Sequence, residues 1–491
     1  MDKILEDSGA LTPALLLADE GQFEQKALDL LSKLSKLSAQ DFDARDQLDA
    51  LQPSTHTITF LYLLTVSIDT SAASGKAAPR QLPSSVLPEG SLWPYITQIL
   101  LDFDFIQVRY CGTQLLRIID IVTLGAEQTS NYIPAIQLLH QVILRLDSTS
   151  SILTSTHRAF IRLCLLAEAY TEAILILDQP IYHIPTVLDN RSKSYLCSSG
   201  DQNSTYLNPA TGLTQPITVR IFLEYYLLGA LSYLAVRRYK DALFFLEIVL
   251  STPTAQNAVS MLQIEAYRKW TLLSLILKGS IPESPKNISQ GVLKYLKALA
   301  KPYDCIVEAF VSNDIEKLRT EIEAGSALWQ EDGNYGLMVE VYQAFRKFTV
   351  IRLGRTFSAL PLVAVANKML ADEQDLTETR AYLDSLIAER ALHAVVVNSD
   401  DGDQILRFLP PSVSLMNESE VDTALSTQTL RLQLLLKHIQ DSEHRMETTK
   451  EYIEYLKKLK KARDDDKKVS GSGNGRTTTV DDVDEDMMEE F

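Results

Sequence analysis

The sequence predicts a mainly α-helical protein: a helical-repeat solenoid, then a small winged-helix subdomain, then one long C-terminal helix. Three observations carry that expectation. Apolar residues recur at i, i+3, i+4 and i+7 from about Phe23 to Val350, punctuated by clusters of Gly, Pro and Ser. Near the end, "HAVVVNSDDGDQILRFLP" (His393 to Pro410) breaks into two β-branched runs around Asp401-Gly402. Beyond it, Leu425, Leu432, Ile439, Met446 and Ile453 stand seven residues apart.

In the first region one unit repeats. "AEAYTEAILILDQP" (Ala167 to Pro180) and "VRRYKDALFFLEIVLSTP" (Val236 to Pro253) share an aromatic, two polar residues, an alanine and an apolar helix closed by Pro, with a weaker echo in "GQFEQKALDLL" from Gly21. The unit resembles a degenerate tetratricopeptide repeat. In such repeats the aromatic (Tyr170, Tyr239) wedges into the hairpin turn as a packing residue, and small alanines (Ala173, Ala242, Ala27) let paired helices approach. Two segments, Asp69 to Ser91 and Pro185 to Thr218, are rich in polar and turn-forming residues and are expected to be mobile insertions.

After Gly336 an amphipathic helix leads into a second arrangement. Pro361 suits a first helical position, ahead of Leu362, Ala366, Met369 and Leu370 on one face. A further helix follows, with Thr377 as candidate N-cap and Leu376, Leu383, Leu386 and Ile387 on one stripe. Two strands close the unit, Leu392 to Val397 and Gln404 to Leu409. Helix, helix, helix, strand, wing, strand is the order of a winged helix. Its sheet is expected to offer an exposed edge to a neighbouring protein, through Val395, Val396, Val397, Ile405, Leu406, Arg407 and Phe408.

The long helix is expected from about Val421 to Arg463. Leu435 and Leu456 take d positions beside the seven-residue series Leu425, Leu432, Ile439, Met446 and Ile453, although Ser442 and Thr449 weaken the seam. Such a stripe wants partner helices. The last residues, 464–491, hold a dense acidic cluster and almost no core-forming side chains, which predicts disorder.

Composition narrows the function classes. The chain has 491 residues, and its formal charge of −17 repels phosphate backbones and anionic membranes unless a local basic patch intervenes. Four scattered cysteines make neither a disulfide framework nor a zinc half-site, so reduced thiols are expected. No secretory signal and no membrane span are expected, because the N-terminus mixes acids into its apolar run and the longest apolar stretches fall short of the roughly 18 residues a span needs. The expected location is cytoplasm and nucleus.

The search for chemistry returns little. His438 and His444 stand six apart, not at the i, i+4 spacing of a helical zinc site, and no HxH, HExxH, GxSxG or phosphate-loop motif occurs. The "SGSGNG" run from Ser470 lacks the strand and helix that would aim backbone N–H groups at a phosphate. No catalytic residue, metal or cofactor is assigned. Nucleic acid is the sharpest alternative partner, since winged helices often enter the major groove. Charge opposes it: the would-be reading helix carries Glu378, Asp384 and Glu389 against Arg380 and Arg390, and the wing adds Asp400, Asp401 and Asp403. The basic run "KKLKKAR" (Lys457 to Arg463) reads as a solvated helix end, with contact to the acidic tail as the alternative.

The order of parts resembles PCI-domain proteins, the scaffold subunits of the proteasome lid, the signalosome and translation initiation factor three. "LEYYLLGALSYLAVRRYKDALFFLEIVLSTP…EAYRKWTLLSLILKG" (Leu223 to Gly279) resembles the central segment of the third-subunit family of the COP signalosome, and "ALAKPYDCIVEAFVSNDIEKLRTEIE" (Ala298 to Glu323) and "NYGLMVEVYQAFRKFTVIRLGRTFSAL" (Asn334 to Leu360) extend the similarity. The resemblance implies a non-enzymatic scaffold in the complex that removes a ubiquitin-like modifier from cullins and so regulates cullin-RING ligases. It implies as partners other PCI subunits, a bundle with their C-terminal helices, and cullin-RING ligases indirectly. It also divides the chain into helical repeats (1–219), the helical part of the PCI domain (220–350), the winged helix (351–411), the bundle helix (421–463) and the tail (464–491). A lid or initiation-factor PCI subunit remains the alternative within the class.

Overall fold

The computed structural model describes residues 2–35, 44–74, 82–186, 195–198, 203–253, 258–280, 283–285, 287–369, 376–398, 404–409, 418–447 and 452–461. The chain forms two compact units, Met1–Val413 and Ser414–Phe491. The first is mainly helical with one three-stranded sheet, and holds two apolar cores.

The helical repeats form because their period-3.6 stripes need cover. Helix Ser155–Leu166 pairs with Tyr170–Leu177, and Val219–Ala235 with Tyr239–Ser251. Ala27, Ala173 and Ala242 are all fully buried, as the close approach of paired helices requires. Gly229 serves the same end: a Cβ there would lie 2.8 Å from Phe245 Cε1 and 2.9 Å from Leu177 Cδ2. Tyr170 and Tyr239 open the second helix of each pair and are half-buried.

The turns within the two pairs share one device. Ala169 N–H donates to Cys164 O and Arg238 N–H to Tyr233 O, both at 2.9 Å, across the left-handed residues Glu168 (φ 54°) and Arg237 (φ 61°). That i to i−5 bond satisfies a carbonyl that the helix end would otherwise leave free. Other ends use side-chain caps: Thr218 accepts from Ile221 N–H, and Ser260 with Gln263 forms a capping box.

One continuous core runs from Ile4 to Phe345, and a second gathers Val350, Leu362, Val365, Leu383 and Leu406. Helix Tyr335–Thr356 belongs to both: Met338, Val341 and Phe345 enter the first and Val350 the second. Its start is anchored by a buried polar chain. Lys269 Nζ donates to Asn334 Oδ1 (3.0 Å), Asn334 Nδ2 to Tyr303 OH (2.7 Å), and Tyr303 OH to Asp332 Oδ2 (2.7 Å), while Arg268 pairs with Asp332.

Where they are described, the two segments expected to be insertions contribute buried side chains to the first unit. Residues 69–74 continue helix Thr57–Ser74, with Asp69 paired to Arg117, and Val86 and Leu92 beyond are buried. In the second, Cys197, Leu207, Asn208 and Leu213 are buried, and Asn203–Tyr206 is a short helix. The Arg109 guanidinium lies 3.7 Å from the Tyr206 ring centroid and donates to Leu196 O and Ser198 O. The polar residues that suggested a solvated loop satisfy one another: Asn208 Oδ1 accepts from Ala210 and Thr211 N–H, and Asn203 Nδ2 donates to Asp147 Oδ1. Residues 75–81, 187–194 and 199–202 lie outside the described residues.

The sheet is antiparallel with order β1-β3-β2, where β1 is Ala359–Pro361, β2 is Ala394–Asn398 and β3 is Gln404–Phe408. β1 was not expected from sequence. Pro361 was expected to begin a helix but ends β1 opposite Ile405, and the helix starts at Leu362. A proline fits there because an edge strand can spare its N–H. Thr377, expected as an N-cap, lies inside helix Leu376–Ala388. Leu370 and the wing, residues 399–403, lie outside the described residues.

In the second unit one helix spans Glu418–Glu447, starting three residues earlier than expected, and residues 452–461 are also helical. Thr449 and residues 462–491 lie outside the described residues.

Candidate protein-interaction surfaces

The candidate residues fall on two surfaces. The first is the small sheet. Its strands alternate, so Ala394, Val396, Leu406 and Phe408 face the second core, with Leu406 fully buried. Val395 and Val397 point the other way and are 46% and 47% exposed, opposite Arg407 and Ile405 in register.

The order of strands corrects one expectation. β3 lies between β1 and β2, so the backbone of Ile405, Leu406 and Arg407 is engaged on both sides. These residues and Phe408 cannot supply a free edge. Of the two predicted strands β2 can, because it is a terminal strand, as β1 is, and it carries Val395, Val396 and Val397.

Two contacts hold helix Tyr335–Thr356 against this subdomain. A Cβ on Gly354 would lie 2.7 Å from Phe408 Cδ1, so helix Tyr335–Thr356 rests directly on β3. Arg346 lies over the Tyr382 ring at 5.0 Å, tying the same helix to Leu376–Ala388. Burial pushes the Tyr382 hydroxyl pKa up, and the Arg346 charge partly opposes it. Arg352 on that helix is pulled below the ordinary arginine range by burial first and by Arg355 second.

The second surface is the C-terminal helix. The side chains of Leu425, Leu432, Leu435, Ile439, Met446, Ile453 and Leu456 are all exposed, from 65% at Leu425 down to 39% at Leu456. Sequence reasoning missed that Leu430, Leu434 and Leu436 are exposed as well, at 62%, 44% and 59%. The segment Leu430–Ile439 therefore presents two apolar faces, Leu430 with Leu434 and Leu432, Leu435, Leu436 with Ile439, separated by Arg431 and His438 on one side and Gln433 and Lys437 on the other, and such a helix can be covered by more than one neighbour in a bundle. The signal was present in "LRLQLLLKHI", but a seven-residue template selects one seam and discards the rest.

Other chemistry finds little support. Among the described residues no group of three His, Cys, Asp or Glu could hold a metal ion. The exposed face of helix Leu376–Ala388 carries Glu378 and Asp384 beside Arg380, whose guanidinium pairs with Asp384 at 3.7 Å. Among the described residues no helix is long and apolar enough to cross a membrane.

The nearest thing to a catalytic constellation is Asp147, Ser150 and His157, and its geometry is structural. His157 is buried, with Nε2 2.9 Å from Ser150 Oγ and Nδ1 accepting from Thr154 N–H. Burial pushes its pKa down to about 4, against a smaller opposing effect of Asp147. The Asp147 carboxylate is taken up by Thr149, Ser151, Ile152 and Asn203 donors, which hold it below the ordinary range although burial acts the other way.

Comparison with known proteins agrees with the fold. The family model for the N-terminal helical repeats of COP9 signalosome complex subunit 3 matches residues 20–292. A COP9 signalosome complex subunit 3 from Emericella nidulans is 29% identical over 472 residues, covering 95% of this chain and 94% of the relative. The subunit 3 of Drosophila melanogaster is 26% identical over 458 residues (92% and 94%), and that of Neurospora crassa 24% over 425 (84% and 82%). With more than half its length matched by that model, the chain belongs to the COP9 signalosome subunit 3 family.

Proposed function

We propose that the chain is a non-catalytic scaffold subunit of a COP9 signalosome, the complex that removes the ubiquitin-like modifier from cullins and thereby regulates cullin-RING ubiquitin ligases. The observation that carries the scaffold reading is the helix Glu418–Glu447, whose leucines are exposed on two faces. Exposed leucines on two faces of a helix favour burial among other helices, and the C-terminal helices of neighbouring subunits are the proposed partners. The second contact is the β2 edge, where a strand of another PCI subunit would pair with free backbone groups and cover Val395 and Val397. Similarity to subunit 3 proteins over nearly the whole chain supports this reading over a proteasome-lid or initiation-factor subunit. The proposed location is cytoplasm and nucleus, which cell fractionation tests.

Truncation after Pro410 tests the scaffold mechanism. The truncated chain should keep a cooperative thermal transition, because both cores lie before that residue, and should fail to join the helical bundle. Full incorporation of the truncated chain into the complex would refute the role of the C-terminal helix.

A further inference from the structure

A kinase can reach a hydroxyl that is exposed, uncommitted to other hydrogen bonds and carried on backbone that can be drawn out straight. The chain holds three steps in which Ser or Thr precedes Pro: Thr12-Pro13, Thr252-Pro253 and Ser284-Pro285. Proline makes such a step distinctive, because it drives the residue before it towards extended backbone and presents no N–H of its own.

The fold separates the three. Thr12 is the N-cap of helix Pro13–Ala18, and its Oγ1 accepts from Leu15 N–H. Thr252 is half-buried at the end of helix Tyr239–Ser251, and its Oγ1 donates to Ile248 O at 2.8 Å. Ser284 is exposed, and its hydroxyl makes no hydrogen bond among the described residues. Helix Met261–Lys278 ends at Gly279 in the left-handed conformation (φ 62°), and Ser289 caps the start of helix Gln290–Leu299. Ser284 stands between those two caps, and residues 283–285 are neither helix nor strand, so an enzyme that takes hold of them breaks no backbone ladder.

We infer that Ser284 is a phosphorylation site for a proline-directed kinase, and that the fold withholds Thr12 and Thr252 from the same enzyme. In the transfer Ser284 Oγ bonds to the γ-phosphorus of a nucleoside triphosphate, the bond from that phosphorus to the departing nucleoside diphosphate breaks, and the hydroxyl proton passes to the kinase's catalytic carboxylate. The product carries about −1.5 to −2 charges and three strong acceptor oxygens. Ser284 lines an open groove of about 830 Å3 together with Val219, Phe222 and Phe244. Phe244 and Val219 are 60% and 52% exposed there, so the modification sets a dense negative charge beside an apolar surface. This is a control point in the helical part of the chain, separate from the β2 edge and the C-terminal helix.

The test takes the tagged full chain in its native complex from its native cell, with phosphatases inhibited, and localises phosphate on its peptides by mass spectrometry. The expected result is phosphate on Ser284 and none on Thr12 or Thr252. Pro285→Ala should abolish it although the Ser284 hydroxyl remains, and Ser284→Ala should leave the whole peptide, Ser280 and Ser289 included, unmodified. An unmodified Ser284, comparable phosphate on Thr12 or Thr252, phosphate that persists in Pro285→Ala, or phosphate that stays on the peptide in Ser284→Ala would each overturn the proposal. Thermal melting reads the folding of each variant. Co-purification with the complex is scored separately, so failure of this site is distinct from failure of the scaffold reading.

Discussion

Removing two leucine-class side chains from the C-terminal helix should weaken assembly while leaving the free chain as stable as before. The perturbation is Leu432→Ala with Ile439→Ala. These side chains are 60% and 45% exposed in the chain itself, so truncating them costs the free protein only a few tenths of a kcal/mol of helix propensity and residual packing. In a bundle the same surfaces would be covered. Fully burying a Leu or Ile contributes about 1.5–3 kcal/mol, so covering roughly half of each gives about 0.8–1.5 kcal/mol per residue. The cavity left in the bundle raises that to about 2 kcal/mol each, and the pair therefore costs about 4 kcal/mol, close to a thousandfold in affinity. The assay is titration of the labelled full chain into complex lacking it, read by fluorescence anisotropy, with thermal melting as the folding control. Arg431→Ala, on the same helix but off the apolar seam, should change affinity less than about threefold. Unchanged affinity of the double variant, or a large drop in its melting temperature, would refute burial of this stripe in a partner bundle.

Three further outcomes follow from the geometry. The unfolded His157 ring gains a proton near pH 6.5, whereas the folded ring resists until about 4. Its contribution to stability is thus intact above pH 6.5 and lost as pH falls towards 4, by up to about 3 kcal/mol at 1.36 kcal/mol per pH unit; urea unfolding across that window should show a slope that His157→Gln removes. Gly112→Ala would put a Cβ 2.4 Å from Thr211 O and 2.8 Å from Leu213 N, both backbone atoms, so the 203–214 segment must shift and stability should fall by about 2–4 kcal/mol in denaturant titration. An unchanged midpoint would mean that this segment is not packed as described. Val397→Lys, on the exposed face of β2, should leave the melting temperature within about 1–2 °C of the parent and reduce PCI-subunit pairing in reconstitution; pairing at full strength would remove β2 from the interface.

Much of this was legible in the sequence because packing periodicity is local. The alanines at 173 and 242 and the apolar stripes around them announced paired helices, and the buried positions agree. The turns were less legible. Glu168 and Arg237 occupy left-handed positions where glycine is the usual signal, and the tertiary fold holds them there. β1 escaped notice because three residues ending in Pro361 carry no alternation to detect, and without β1 the central position of β3 could not be foreseen. That one omission moved the candidate edge from both strands to β2. In segment 203–218, Asn203 and Thr214 look solvated by composition, yet their hydrogen bonds close on Asp147 and Ser155, which only the fold brings near, while Asn208 closes locally on Thr205 O.

The central claim, that this chain works by holding a signalosome together, is tested most directly by tagging the full chain in its native cell, purifying it gently and identifying what co-purifies. The account predicts a single stable assembly containing the other signalosome subunits in near-equal amounts, with cullin-modifier cleavage measurable in that assembly and absent from the isolated chain. Recovery of the chain alone, its recovery with proteasome-lid or initiation-factor subunits instead, or cleavage by the isolated chain would contradict the account.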